Sequence, residues 1–296
     1  MKRAEFLDPV SASTKTQAAS AVHAPASRLA ATAPAMGPAD GAVSEVTGLV
    51  VRAQIATVEL GELVWIQAGD RHVPAEVVGF VDDSAVLMPL GHLTGLAVRA
   101  QVWRSRAPLR IFAGPALLGR VLNGLGDPID GGPPLPAAEW SVDRAAPAAI
   151  ARPAVSVPLV TGVRALDGLL PLGRGQRIGV FAGSGVGKST LLGQVASHAE
   201  ADVCVICLVG ERGRELGDWL SRLASARART IVVCATSDAS SLERLRAVSV
   251  ATAIAEWFRD HAGAHVLMVV DSLTRVARAQ REVGLSAGEP ATRHGY

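Results

Sequence analysis

The stretch Ala182-Gly183-Ser184-Gly185-Val186-Gly187-Lys188-Ser189 decides how the rest of the chain is read. It fits the phosphate-loop pattern G-x-x-x-x-G-K-[ST], with Ala182 in place of the first glycine. The spacing has a physical basis. Glycines let backbone N–H groups turn inward as an anion nest. A helix starting directly after them presents its positive N-terminal end to the same anion. In that arrangement Lys188 reaches the β- and γ-phosphates of ATP and the Ser189 hydroxyl holds Mg²⁺. The expected binding residues are Gly183, Ser184, Gly185, Val186, Gly187, Lys188, Ser189 and Thr190. Composition singles out the same lysine. Of 29 basic residues 26 are Arg and three are Lys, and beyond residue 15 a single lysine remains, Lys188. A compact ammonium fits where a planar guanidinium does not.

Working outward, the apolar run Arg177–Ala182 predicts a strand entering the loop, and Lys188 to His198 a helix leaving it. The alternation continues. Val203–Val209 predicts a strand buried on both faces, Glu215 to Ala226 a helix, and Thr230–Ala235 a third strand. Ser241 to His261 predicts a long helix, with Leu242, Leu245, Val248, Ala251, Ala255 and Phe258 on its apolar face. His265–Val270 predicts a fourth strand and Ser272 to Val283 a further helix. Repeated βα units imply an α/β fold, a parallel sheet with right-handed crossovers.

Two further motifs fall at strand ends. His265-Val-Leu-Met-Val-Val-Asp271 is an apolar strand ending in an acid, the placement of the Mg²⁺-side Asp in phosphate-loop enzymes. Gly210-Glu211-Arg212-Gly213-Arg214-Glu215 follows the second strand. Ligands of open α/β sheets bind at the carboxyl ends of strands, so Glu211 would face the γ-phosphate and orient or deprotonate water. From spacing alone, a solvated loop of mutual ion pairs explains those charges equally well. Cys204-Val-Ile-Cys207 has C-x-x-C spacing, but residues three apart on a strand point to opposite faces. Core packing is the expectation there, and the histidines suggest no dedicated metal cluster.

The N-terminal half reads differently. Twenty-three of the first forty residues are Ala, Ser, Thr or Pro, which predicts a disordered tail over residues 1–40. From 41 to 115, β-prone runs recur: Val46–Val51, Gln54–Val58, Leu63–Gln67, Val73–Phe80, Ala85–Pro89 and Ala97–Trp103. Close turn signals between them suggest a small β-barrel or sandwich. Residues 116–155, rich in Gly and Pro, are expected to connect it to the nucleotide domain at 156–296. The 296 residues suit about two domains at ~150 residues each. A net charge of +2 gives no support for coating nucleic acid. No apolar run reaches the ~18 residues needed to span a bilayer, and three cysteines are too few for a disulfide scaffold.

Thr161-Gly-Val-Arg-Ala-Leu-Asp-Gly-Leu-Leu170, Gly173-Arg-Gly-Gln-Arg-Ile-Gly179, the phosphate loop, Gly210–Glu215, Asp271-Ser-Leu-Thr-Arg275, Ala279-Gln-Arg-Glu282 and Gly288-Glu-Pro290 together resemble the type III secretion ATPases, injectisome and flagellar. These are similar to the catalytic subunits of rotary ATP synthases. The resemblance covers roughly residues 45–296, and the C-terminal stretch Gly284–Tyr296 looks more injectisome than flagellar. It implies an N-terminal β-barrel before a RecA-like domain and a homo-oligomeric, hexameric ring. The ring would be cytoplasmic, peripheral to the inner-membrane export apparatus, and would contact stalk and stator proteins, chaperones and export substrates but no nucleic acid. Carried over by position, Lys188 and Ser189 bind phosphate and Mg²⁺, Glu211 is the catalytic carboxylate with Arg212 beside it, and Asp271 is the second Mg²⁺-side residue. Because family members continue further, the expectation is a truncated member with an incomplete sheet and weak or absent hydrolysis alone. The implied function is an ATP-driven motor that releases chaperones and unfolds export substrates. The alternatives are a nucleotide-binding module that does not hydrolyse, and a flagellar rather than injectisome role. An RNA-translocating ring is disfavoured, because the N-terminal region shows no basic, aromatic-interleaved face.

Overall fold

The computed structural model describes residues 37–91, 93–137, 139–183 and 185–291. The expected tail lies, as far as residue 36, outside the described residues.

Six strands form a closed antiparallel barrel in the order β1-β2-β5-β4-β3-β6. They are β1 (Gly41–Thr47), β2 (Val50–Ile55), β3 (Glu62–Ala68), β4 (Arg71–Val81), β5 (Ser84–Pro89) and β6 (Gln101–Pro108). Alternate residues fill the interior: Val51 and Ala53, Val64 and Ile66, Ala75 and Val77, Ala85 and Leu87. The run Val46–Val51, read as one strand, spans the β1–β2 hairpin. Gly48 takes φ +59° at the turn, a left-handed conformation that suits glycine. Inside the barrel wall the Arg104 guanidinium forks onto Glu62, with Nε–Oε1 at 2.9 Å and Nη2–Oε2 at 2.8 Å. Those bonds hold the Glu62 carboxyl below its ordinary range even though burial opposes ionisation.

Beyond the barrel come β7 (Arg110–Ile111), β8 (Val121–Asn123), β9 (Trp140–Ser141), β10 (Pro158–Leu159), α1 (Arg164–Leu169), β11 (Leu172–Gly173) and α2 (Lys188–His198). Then follow β12 (Val203–Glu211), α3 (Gly213–Arg222), β13 (Thr230–Thr236), α4 (Ser241–His261), β14 (Val266–Asp271) and α5 (Leu273–Ala287). The main sheet has the order β14-β12-β13-β8, and its pairs are parallel. Val203 to Val209 are buried throughout. Cys204, Ile206 and Leu208 face Ala196 of α2 and Trp219 of α3, while Val205, Cys207 and Val209 face Val250 and Ile254 of α4. The two cysteines therefore lie in different cores, and both are free thiols. Ser240 caps α4 by accepting from the Glu243 amide at 3.1 Å.

Two observations revise the sequence reading. Arg177–Ala182 is not a strand: it enters no ladder among the described residues, Phe181 is 96% exposed and Ile178 51%. Apolar composition favours a strand, but a strand needs a neighbour to take its N–H and C=O groups. The fourth strand of the sheet is instead β8, from the Gly- and Pro-rich stretch, hydrogen-bonded to β13. In addition, the helix expected over Glu215–Ala226 starts at Gly213 and gives way to a 3₁₀ segment, Ala224–Arg229.

The barrel is tied to the nucleotide domain by Arg246 of α4. Its Nε sits 2.7 Å from Glu76 of β4 and its Nη1 2.9 Å from Asp143 of the intervening stretch.

Candidate nucleotide-binding site

The phosphate loop turns where its glycines allow it. Gly185 and Gly187 take φ +79° and +102°, conformations with little strain only without a Cβ. The first helical bond of α2, from the Leu191 amide to the Gly187 carbonyl at 2.9 Å, follows at once. The loop thus delivers the free N–H groups of a helix start to solvent. Gly183, Val186 and Thr190 are exposed there, and Ser184 lies outside the described residues. The far end of α2 is held by Arg229, which donates to the carbonyls of Ala201 at 2.7 Å and Ser197 at 3.0 Å.

Lys188 and Ser189 converge on the end of β14. The Lys188 Nζ lies 3.5 Å from Asp271 Oδ1, and the Ser189 hydroxyl donates to Oδ2 at 2.9 Å. Asp271 is 2% exposed. A buried carboxylate needs a cation and hydrogen bonds, and both come from the loop. One hydroxyl and one carboxylate suit Mg²⁺, which keeps waters and substrate phosphates as its other ligands. The glycine-lined helix start suits the phosphates. Among the described residues no group of three or more His, Cys, Asp or Glu could hold a metal by itself. His261-Ala-Gly-Ala-His265 has i,i+4 spacing but straddles the end of α4: His261 stacks on Trp257, and His265 Nδ1 lies 3.0 Å from the Glu200 carbonyl.

Glu211 stands at the carboxyl tip of β12, beside β14, in a cluster of its own. Its carboxylate is buried and ion-paired with Arg275, from the first turn of α5. Burial and a hydrogen bond with Glu215 push the Glu211 carboxyl up to about 6, against the pull of Arg275. The same hydrogen bond holds Glu215 below the usual carboxylate range. Arg212 is largely exposed and lies 3.9 Å from Glu215. The structure therefore joins Lys188, Ser189 and Asp271, and sets Glu211, Glu215 and Arg212 in a neighbouring group. Arg275 is the participant that spacing did not assign. Its signal was its place one helical turn past Asp271, which returns it to the sheet's end.

Comparison with known proteins follows the same division. The model for the ATP synthase alpha/beta family, nucleotide-binding domain, matches residues 162–296, and the model for that family's beta-barrel domain matches residues 43–106. The chain belongs to the ATP synthase alpha/beta family. Within this family it is 49% identical over 267 residues to the type 3 secretion system ATPase of Xanthomonas euvesicatoria, covering 88% of this chain and 60% of that protein. It is 44% identical to the flagellum-specific ATP synthase of Bacillus subtilis, covering 86% and 60%. The assembled ATPase EscN of the enteropathogenic E. coli type III secretion system superposes with a TM-score of 0.80 at 39% identity, covering 86% of this chain and 62% of that one. EscN in complex with its central stalk EscO gives 0.78 at 40% identity, covering 86% and 63%. The chain spans about 60% of the length of the curated relatives it matches. No helix among the described residues is long and apolar enough to cross a membrane.

Proposed function

We propose that this chain is a type III secretion ATPase that binds Mg²⁺ and ATP at the phosphate loop and hydrolyses it to release chaperones and unfold export substrates. The observation that carries the reading is the convergence of Lys188 and Ser189 on Asp271 with Glu211 at the adjacent strand tip. In this reading Gly183, Ser184, Gly185, Val186 and Gly187 wrap the phosphates, and the α2 N-terminus and Lys188 neutralise them. Thr190 continues the helix start. Mg²⁺, when bound, supplies charge neutralisation on the phosphate oxygens. Ser189 and Asp271 hold it, while Glu211 accepts a proton from water or orients it, and Arg212 lies beside that carboxylate. The assembled EscN structures, one of them with its central stalk, support a homo-oligomer with a stalk; the proposal makes it a hexameric ring in the cytoplasm at the inner-membrane export apparatus. Chaperones, export substrates and stator proteins are the further partners of this proposal.

Two alternatives have observations behind them. Flagellar relatives stand near the injectisome ones, at 44% against 49% identity, so a flagellar export role fits the same site. A module that binds nucleotide without turnover fits the engagement of Glu211 by Arg275. The test is steady-state phosphate release by the purified protein, with Lys188→Ala as control. Turnover abolished by that change supports the ATPase. Nucleotide binding with no turnover supports the module. Stimulation by a chaperone–substrate complex of the injectisome rather than the flagellar type chooses between the export roles.

A further inference from the structure

The ladder of β12 slips at its end. The register against β13 shifts between Val209 and Glu211, and the intervening Gly210 takes φ +66°. Bulges of this kind re-aim the side chain that follows. Gly210 also makes room for Arg275: a Cβ there would lie 3.0 Å from the arginine Cδ. The bulge, the missing side chain and the first turn of α5 thus combine to bring one guanidinium onto one carboxylate. The Glu211 side chain is 9% exposed and Arg275 36%, so the carboxylate end of the pair is buried and the guanidinium reaches it from a partly exposed position. Glu215 of α3 completes the set by a side-chain hydrogen bond with Glu211.

Resting on the hydrolytic reading above, we propose that Arg275 is the positioning residue for Glu211, clamping the carboxylate against the β12 tip and, with Glu215, fixing where it points. Arg275 acts through Glu211. The charged and titratable groups that face Glu211 are Arg275 of α5, Glu215 of α3 and the Cys234 thiol of β13. Arg212 and Arg214 act on Glu215, and Asp271 acts on Arg275. Among the groups acting directly on Glu211, Arg275 alone favours its ionised form.

The test is a ¹³C NMR titration of the full chain with labelled glutamate, the Glu211 resonance being assigned by Glu211→Gln. Wild-type Glu211 should titrate near 6. In Arg275→Met its midpoint should rise by about one pH unit, since removing a cation favours the neutral acid. Arg275→Lys should restore most of the shift, which a purely structural role would not require. Arg275→Gln serves as a second neutral variant that keeps a polar group at this half-exposed position, in case the methionine protein does not fold. An unmoved midpoint in a folded neutral variant overturns the proposal. Phosphate release measured on the same samples separates the two ideas: a shifted titration without wild-type turnover contradicts the ATPase reading alone, and turnover with an unmoved titration contradicts the clamp alone.

Discussion

The Ser189 hydroxyl donates to Asp271 Oδ2 at 2.9 Å, joining residues 82 positions apart at the end of the parallel sheet. A helix start and a strand end meet there, and together they present one hydroxyl and one carboxylate. If these are the Mg²⁺-side groups, Asp271→Asn should remove the Mg²⁺-dependent part of ATP affinity. Titrations of a fluorescent ATP analogue with Mg²⁺ and with EDTA should then converge, whereas in the wild type they differ by tenfold or more, about 1.4 kcal/mol. An undiminished Mg²⁺ increment in Asp271→Asn would remove that residue from the metal's surroundings.

If Glu211 is the proton acceptor of the proposed hydrolysis, its carboxyl, raised to about 6, should give that reaction a pH dependence. Glu211 would have to be ionised to accept a proton, so activity should be retained above that midpoint and lost as the pH falls through it. Phosphate release should level off above about pH 7 and drop roughly tenfold per unit well below 6. A flat profile between pH 5 and 8 would show that another group limits the reaction.

Much of this was legible in the chain and some was not. β12 could be read because a strand covered on both faces is continuously apolar, and α2 because Gly187-Lys188-Ser189 marks a helix start. Glu211 and Asp271 were placed by the rule that ligands bind at strand ends. What failed was whatever depends on a neighbour. Arg177–Ala182 has the composition of a strand without a ladder partner. Val121–Asn123 is a strand only because β13 lies alongside it, and surrounding Gly and Pro hid it. The Val46–Val51 hairpin was masked by β-prone residues on both sides of Gly48. The Arg275–Glu211 pair crosses from α5 to β12, and linear spacing does not encode such a contact.

The Arg246 link between barrel and nucleotide domain should be felt in stability. Glu76 is 4% exposed, and Arg246→Met would leave it buried without a partner. Urea unfolding should show a loss of about 3–5 kcal/mol. Replacing both partners, as in Glu76→Leu with Arg246→Met, should recover most of it, because no uncompensated buried charge remains and Asp143 is half exposed. A loss under 1 kcal/mol in the single variant would mean that water reaches Glu76.

The cysteines should be inert in the folded protein. Burial pushes the Cys204 and Cys234 thiols up to about 12, and Cys207 higher still. Because the thiolate is the reactive form, a chromogenic disulfide reagent at pH 8 should label none of them until denaturant is added. Fast labelling of the native protein would contradict the burial of β12 and β13.

The most direct test concerns Lys188. Equilibrium titration of the full chain with ATP and Mg²⁺ should give saturable binding, weakened at least tenfold by Lys188→Ala in a protein whose unfolding transition is unchanged. Equal affinity in the two proteins would contradict the account at its root, since the loop would then be a glycine-rich turn with no hold on the phosphates.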